Sequence, residues 1–179
     1  LSFLTTHGIP KTMMLTSSRA SEGKSASAHA LSLILARRGL KVALIEAGKV
    51  GGDCTNLGCV PSKALLHEAR HGMDDPFAYA RAKSGDLSAR EDHEMEEHDK
   101  IRLVRGRARL TAERDPHVLE VAGDDGMFTK VRAEHVIICA GSEPVRFPID
   151  GLADDRLLTN ETVFDLRAAP DRILLVGGG

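Results

Sequence analysis

The sequence predicts an α/β fold, a parallel sheet flanked by helices with an antiparallel β-meander inserted into it. Three observations predict it. Residues 11–46 read strand, loop, helix, strand, an order that places two parallel strands either side of a crossover helix. From about residue 102 to 132 the texture changes to short alternating runs separated by turn residues, as in a meander. His135-Val136-Ile137-Ile138-Cys139 is then an unbroken apolar run of the kind found in buried parallel strands.

Composition sets the bounds. The 179 residues suffice for one domain or slightly more. With 42% apolar residues and a net charge of −2, there is no electrostatic case for a nucleic-acid or membrane partner. No apolar run approaches the roughly 18 residues that span a bilayer, and no signal peptide is evident. Three cysteines without framework spacing suggest a reducing, cytoplasmic compartment, where a disulfide is catalytic rather than structural. The chain begins at Leu1 without a methionine and stops in a glycine run, and it reads as a fragment.

Residues 1–10 form a tail with little signal. Thr12-Met13-Met14-Leu15-Thr16 is a short apolar strand, and Ser17 to Ser25 is polar and turn-rich. Ala26 to Arg38 is helical, with Leu31, Ile34 and Leu35 on one face and Gly39 as its stop. Leu40 to Ile45 is the second strand, ending at Glu46, and the loop that opens the helix should face a phosphate. A carboxylate at the carboxyl end of that strand is placed to accept a hydrogen bond from a ribose hydroxyl.

The stretch with most chemistry is Gly51-Gly52-Asp53-Cys54-Thr55-Asn56-Leu57-Gly58-Cys59-Val60-Pro61-Ser62-Lys63. Pro61 suits the first position of a helix that runs breaker-free from Ser62 to His71 and ends at Gly72. Cys59 then stands beside a helix N-terminus, whose partial positive charge favours a thiolate. Gly51, Gly52 and Gly58 permit a tight turn and the approach of something flat. Two buried cysteines, or half of a zinc site, are the alternatives to a reactive pair. Only Cys139 remains elsewhere, so a four-cysteine site is impossible.

This stretch resembles the active-site signature of the flavin-dependent pyridine nucleotide-disulfide oxidoreductases, the group of dihydrolipoamide dehydrogenase, glutathione reductase and mercuric reductase. The resemblance implies a Rossmann-like sheet of the FAD/NAD(P)-binding type. It implies that Cys54 exchanges with substrate, that Cys59 contacts the flavin as the charge-transfer thiolate, and that Lys63 lies near the flavin's reactive edge. Gly106-Arg107-Ala108 matches the family's glycine-x-alanine, in which backbone groups of the alanine, here Ala108, meet the adenine. Cys139-Ala140-Gly141-Ser142 stands where the family has Ala-Thr-Gly-Ser, so Gly141 keeps the close approach to the nucleotide while Ala140 replaces the threonine. Gly51, Gly52 and Glu46 complete the implied flavin contacts. FAD is the implied cofactor, NAD(P)H the donor in the full-length enzyme, and a small-molecule or protein disulfide, or a metal ion, the substrate. The full-length family is homodimeric, and a catalytic histidine–glutamate pair from the partner subunit completes its site.

The first turn departs from this pattern. Alignment on the helix puts the family's three glycines at Gly23, Ser25 and Ala28, with Ser25 replacing the glycine that lets the backbone reach a pyrophosphate. The segment also resembles the nucleotide-binding stretch of bacterial tyrosine kinases and polysaccharide chain-length ATPases, through Thr16, Ser17, Glu22, Gly23, Lys24 and Ser25. Lys24 and Ser25 could cradle a phosphate there, but no later strand ends in an aspartate for magnesium. An ATP-binding module, or a non-functional chimera, is the alternative function.

Beyond the cysteines, His67-Glu68-Ala69-Arg70-His71 spells HExxH, with both histidines on one helical face but no clear third ligand. Residues 73–100 are polar and highly charged, which suits a solvated helix face or loop; the resembling family carries a longer helical stretch here. Arg102 to Leu110, His117 to Val121 and Met127 to Val131 are the meander strands, joined at Asp115-Pro116 and Gly123 to Gly126. Pro144, Pro148 and Gly151 mark the exit from the domain. Leu158 to Leu166 resembles the mercuric-reductase-like branch, and Arg172 to Val176 followed by Gly177-Gly178-Gly179 reads as a strand opening a second dinucleotide motif. The domain reading is therefore a flavin domain over 11–168, with a redox segment at 51–72, and the start of a nicotinamide domain at 169–179.

Overall fold

The computed structural model describes residues 12–14, 24–72, 74–146, 148–153 and 156–177. In chain order the elements are β1 (Thr12–Met14), α1 (Lys24–Arg37), β2 (Val42–Glu46), α2 (Gly52–Asn56), α3 (Cys59–His71), α4 (Pro76–Glu97), β3 (Ile101–Arg105), β4 (Arg107–Arg114), β5 (His117–Ala122), β6 (Phe128–Ala133) and β7 (Val136–Ile138). A 3₁₀ turn follows at Val163–Asp165. The α/β class with parallel strands and an antiparallel insertion is the one expected. β1 pairs with β7 and β2 with β3, both in parallel, while β4, β5 and β6 form the antiparallel meander. Among the described residues the two parallel pairs are not hydrogen-bonded to each other.

The β2–β3 pair shows why these residues fold this way. In register, Val42 faces Ile101, Leu44 faces Leu103 and Ile45 faces Val104. Side chains alternate across a strand, so the first two pairs share one face and the third lies on the other. Val42, Leu44, Ile101 and Leu103 pack with Ala36, Val50, Met95 and Leu33, closing the sheet against α1 and α4. Ile45 and Val104 join Leu119, Val121, Val131 and Val136, fusing the parallel strands to the meander. Two apolar clusters on opposite faces of one strand pair position everything else.

The charged stretch 73–100 is mostly one 22-residue helix, α4, rather than a loop. Asp75 caps it by accepting from the Ala78 N–H at 2.8 Å, and Pro76 sits in its first turn, where a missing N–H costs nothing. Phe77, Ala80, Ser84, Ser88 and Met95 are buried along it. From Phe77 to Ser88 they are three or four residues apart, and Met95 follows two turns later, so they share one face of the helix, mostly of small side chains, and α4 packs closely there. Arg81 anchors the later chain, donating to the Leu166 carbonyl at 2.6 Å and to Phe164 at 3.2 Å.

Several boundaries differ from expectation. The strand expected over Arg102 to Leu110 is two strands in two sheets. Gly106 divides them at φ 138°, where an added Cβ would lie 2.3 Å from the Ala122 carbonyl oxygen, and its N–H donates to Glu46 O at 3.0 Å. The third meander strand runs Phe128–Ala133 rather than from Met127, because the Met127 N–H is taken by Asp125 at 2.9 Å. Among the described residues Val136–Ile138 is the part of the run to Cys139 that pairs, in register with Thr12–Met14. On α1 the buried residues are Ser32 and Ala36, with Leu33 packed beside them, whereas Ile34 is 48% exposed. Arg172 to Val176 forms no strand, and Leu174 is 87% exposed. The expected Leu15-Thr16, the turn up to Gly23, and Gly178-Gly179 lie outside the described residues.

Candidate redox site

Gly51 and Gly52 both adopt positive φ, 96° and 57°, turning the chain from Val50 into α2. Cys54 lies within this five-residue helix. Gly58 then caps α3, and Cys59 is its first residue. Pro61 is accordingly the third residue of α3 rather than the first, a position whose N–H also lacks an intrahelical partner. α3 ends at His71, with Gly72 in the left-handed conformation. Lys63 is exposed, one turn into α3 from Cys59.

All three cysteines are free thiols of intermediate burial. The Cys59 thiol and backbone N–H both lie close enough to Cys54 to act on its thiol. The Cys54 thiol is held above its usual pKa, first by its hydrogen bond to Cys59 and then by burial, with the Lys63 ammonium opposing the rise. A single turn of chain thus brings together both sulfurs and one fixed positive charge. Cys139 stands apart, its pKa raised by burial alone.

Two side chains that the sequence did not single out hold this turn. The Ser88 hydroxyl donates to Val50 O at 3.0 Å, and the Thr55 hydroxyl donates to the Glu91 carboxylate at 3.2 Å. Both acceptor and donor on α4 lie one helical turn apart, one at each end of the Gly51–Gly52 turn. Asn56 closes the turn from within, donating to Val50 O and Gly52 O at 3.0 Å each. Gly51 therefore does not open space for a flat molecule: a Cβ there would meet the Glu91 carboxylate and Thr55. The spacing of small residues along α4 was the available signal, but what they touch depends on packing.

The remaining expected site residues fall in several places. Glu46 ends β2, and its Oε1 accepts from the Gly48 N–H at 2.7 Å; among the described residues its other oxygen carries no hydrogen bond. Arg105, opposite Glu46 in the register, donates to Gly48 O at 3.1 Å and pairs with Asp92 at 2.6 Å. Ala108 is exposed on β4 just past the Gly106 bend. Ala140 and Gly141 follow β7 and are exposed, and nothing crowds Gly141 within 4 Å. Ser25 lies in the first turn of α1 beside Lys24, while Gly23 lies outside the described residues, as does most of the ATPase-like segment. His67 and His71 are exposed on α3, and among the described residues no three His, Cys, Asp or Glu groups converge to hold a metal. No helix among them is long and apolar enough to cross a membrane.

Comparison with known proteins gives this arrangement a family. Residues 23–179 match the model of the pyridine nucleotide-disulphide oxidoreductases. The chain is 34% identical to a mercuric reductase of Streptomyces lividans, over 88% of its own length and 37% of that protein. It is 32% identical to a dihydrolipoyl dehydrogenase of Haemophilus influenzae, over 79% of its length and 33% of that protein. The fold matches the HOCl-induced flavoprotein disulfide reductase RclA from Escherichia coli with a TM-score of 0.69 and 24% identity, covering 89% of this chain and 34% of that one. The chain belongs to the pyridine nucleotide-disulphide oxidoreductase family, whose enzymes use FAD and NAD(P)H. It spans about a third of the length of the curated relatives it matches.

The described residues suit the adenosine end of FAD. The donor set is a carboxylate with a free oxygen at the carboxyl end of a parallel strand, beside a backbone bend that admits no side chain. That is where ligands of open α/β sheets bind.

Proposed function

We propose that this chain is the flavin-domain part of a disulfide oxidoreductase in which Cys54 and Cys59 are the redox pair. The observation that carries the reading is the closeness of the two thiols, Cys54 in α2 and Cys59 at the start of α3. FAD held by this domain would supply the two-electron chemistry that links NAD(P)H to the Cys54–Cys59 pair. Glu46 would hold the ribose, Ala108, Ala140 and Gly141 would line the nucleotide, and Gly23 and Ser25 would form the turn toward the pyrophosphate. Gly51 and Gly52 would shape the redox turn, and Lys63 would lie near the flavin's reactive edge.

The chemistry of the thiols follows from their geometry. Cys54 loses its proton and attacks one sulfur of a substrate disulfide; the substrate S–S bond breaks and one thiolate leaves. The Cys59 thiolate then attacks Cys54 in the mixed disulfide, forming the intramolecular bond and releasing the second substrate thiolate. Two electrons pass to the substrate and the pair ends oxidised. Because the Cys54 thiol is held above its usual pKa, its exchange rate rises with pH beyond the range in which an ordinary thiol has levelled off. Alkylation of Cys54 in the Cys59→Ser and parent proteins, followed across pH, checks this: removing the Cys59 partner should shift the profile to lower pH.

The likeness to a mercuric reductase supports a metal ion as substrate, and the likeness to dihydrolipoyl dehydrogenases supports a small disulfide. The full enzyme would work as a homodimer in the cytoplasm. The deciding experiment is an absorbance spectrum of the purified protein with added FAD, followed by dithionite titration. Flavin absorbance with two thiols titrating as a pair is expected; a colourless protein that refuses FAD would sink the proposal for this chain.

A further inference from the structure

We propose that His67 and His71 form a surface chelate for a borderline divalent transition-metal ion, with the Glu68 carboxylate as its charge partner. The site is separate from the redox pair, which lies at the opposite end of the same helix. The two imidazoles stand one helical turn apart on α3, with ring centroids 4.3 Å apart and planes tilted by 41°. His71 Nδ1 lies 2.6 Å from His67 O. A carbonyl only accepts, so Nδ1 carries the proton, and the neutral ring keeps its lone pair on Nε2. This is the same device that fixes the tautomer of metal-bound histidines. Its effect here is to leave Nε2 as the ring atom of His71 available to a metal ion.

Glu68 supplies an independent reason for a cation. Its side chain is only 9% exposed, yet the basic group beside it is His67 Nε2, at 3.8 Å and 63% exposed. A divalent ion on His67 Nε2 would bring a full positive charge close to that carboxylate. α3 also ends at His71, and the partial negative charge at a helix C-terminus favours a cation there.

The donor chemistry selects the metal. Two neutral imidazoles suit copper, nickel or zinc, in the order of affinity that peaks at copper; magnesium and calcium require oxygen ligands. With no third converging ligand among the described residues, water fills the remaining positions. The site is therefore open and exchangeable.

The test must keep metal away from the thiols, so it uses the full chain carrying Cys54→Ser, Cys59→Ser and Cys139→Ser. Titration with copper(II) chloride, followed by electron paramagnetic resonance, should show one equivalent bound with coupling to two nitrogens. His71→Gln, on the exposed end of α3, should remove one nitrogen and weaken binding by about tenfold or more, since the fixed pair is lost. Glu68→Gln should weaken it by a smaller factor with both nitrogens retained, and excess magnesium should not compete. His93→Gln, at an exposed histidine on α4, should change nothing. Equal affinity in the parent and His71→Gln proteins, or loss of binding in His93→Gln alone, would overturn the proposal.

Discussion

In the meander every strand pairs with its neighbour in sequence: β4 with β5 across Asp115–Pro116, and β5 with β6 across Gly123 to Gly126. In the redox segment the chain turns just as tightly, but its turn is held from 36 and 38 residues away, by Glu91 on Thr55 and Ser88 on Val50. The meander's shape is local and resides in alternation and turn residues. The cysteine turn has local bonds from Asn56 but is also held by side chains of α4. The meander is built from contacts that any isolated hairpin could begin to form; the cysteine pair is placed in part by contacts from a distant helix.

Substitutions at four positions test this contrast, the largest effect first. Gly106→Ala strikes where the two regimes meet, forcing a Cβ into a backbone carbonyl at a positive φ. It should destabilise the protein by about 4 kcal/mol, measured by denaturant unfolding, and loosen meander and parallel sheet together. Gly51→Ala meets a carboxylate end that can partly yield, so about 2–3 kcal/mol is expected. Its diagnostic is selective: hydrogen exchange should increase in α2 and the start of α3 while β4–β6 stay protected. Equal exposure of the meander would remove the distinction between the regions.

Ser88→Ala deletes one hydrogen bond to Val50 O, which keeps its bond from Asn56. A loss of about 1 kcal/mol, together with an altered thiol–disulfide equilibrium of Cys54 and Cys59 in a glutathione buffer, is the expected outcome. An unchanged equilibrium would show that α4 does not position the pair. Arg109→Ala, on the meander surface, should do least. Arg109 first, and Lys130 with it, hold the Glu120 carboxyl below its usual pKa. A depressed carboxyl stabilises the fold above its unfolded pKa and loses that contribution as pH falls through the folded one. Removing Arg109 should return the Glu120 titration toward its ordinary value by NMR and reduce the loss of stability on acidification, with little change at neutral pH.

Much of the candidate site was legible because its motif is contiguous. Cys54, Cys59 and Lys63 lie within one turn and the first turn of one helix, so their spacing already fixes their neighbourhood. Glu46 was legible as the end of an apolar strand, a local signal. α4 was obscured because its outward charges dominate its composition, while the buried stripe of alanine and serine carries almost no hydropathy. The split of Arg102 to Leu110 was obscured because its alternation continues unchanged through Gly106; only the Ala122 carbonyl, packed against that glycine, shows that the strand must turn there.

By itself the sequence determined the α/β class, the meander with its turns, the cysteine pair at a helix start and the family they signify. Each follows from signals within a few residues: period-two alternation, breakers, caps and a continuous motif. Tertiary structure alone decided that Ser88 and Glu91 hold the cysteine turn, that Gly51 faces a carboxylate, and that one strand pair carries separate cores on its two faces. Those relations join residues dozens of positions apart, and they arise from burying both faces of β2 and β3, a constraint that no local pattern encodes.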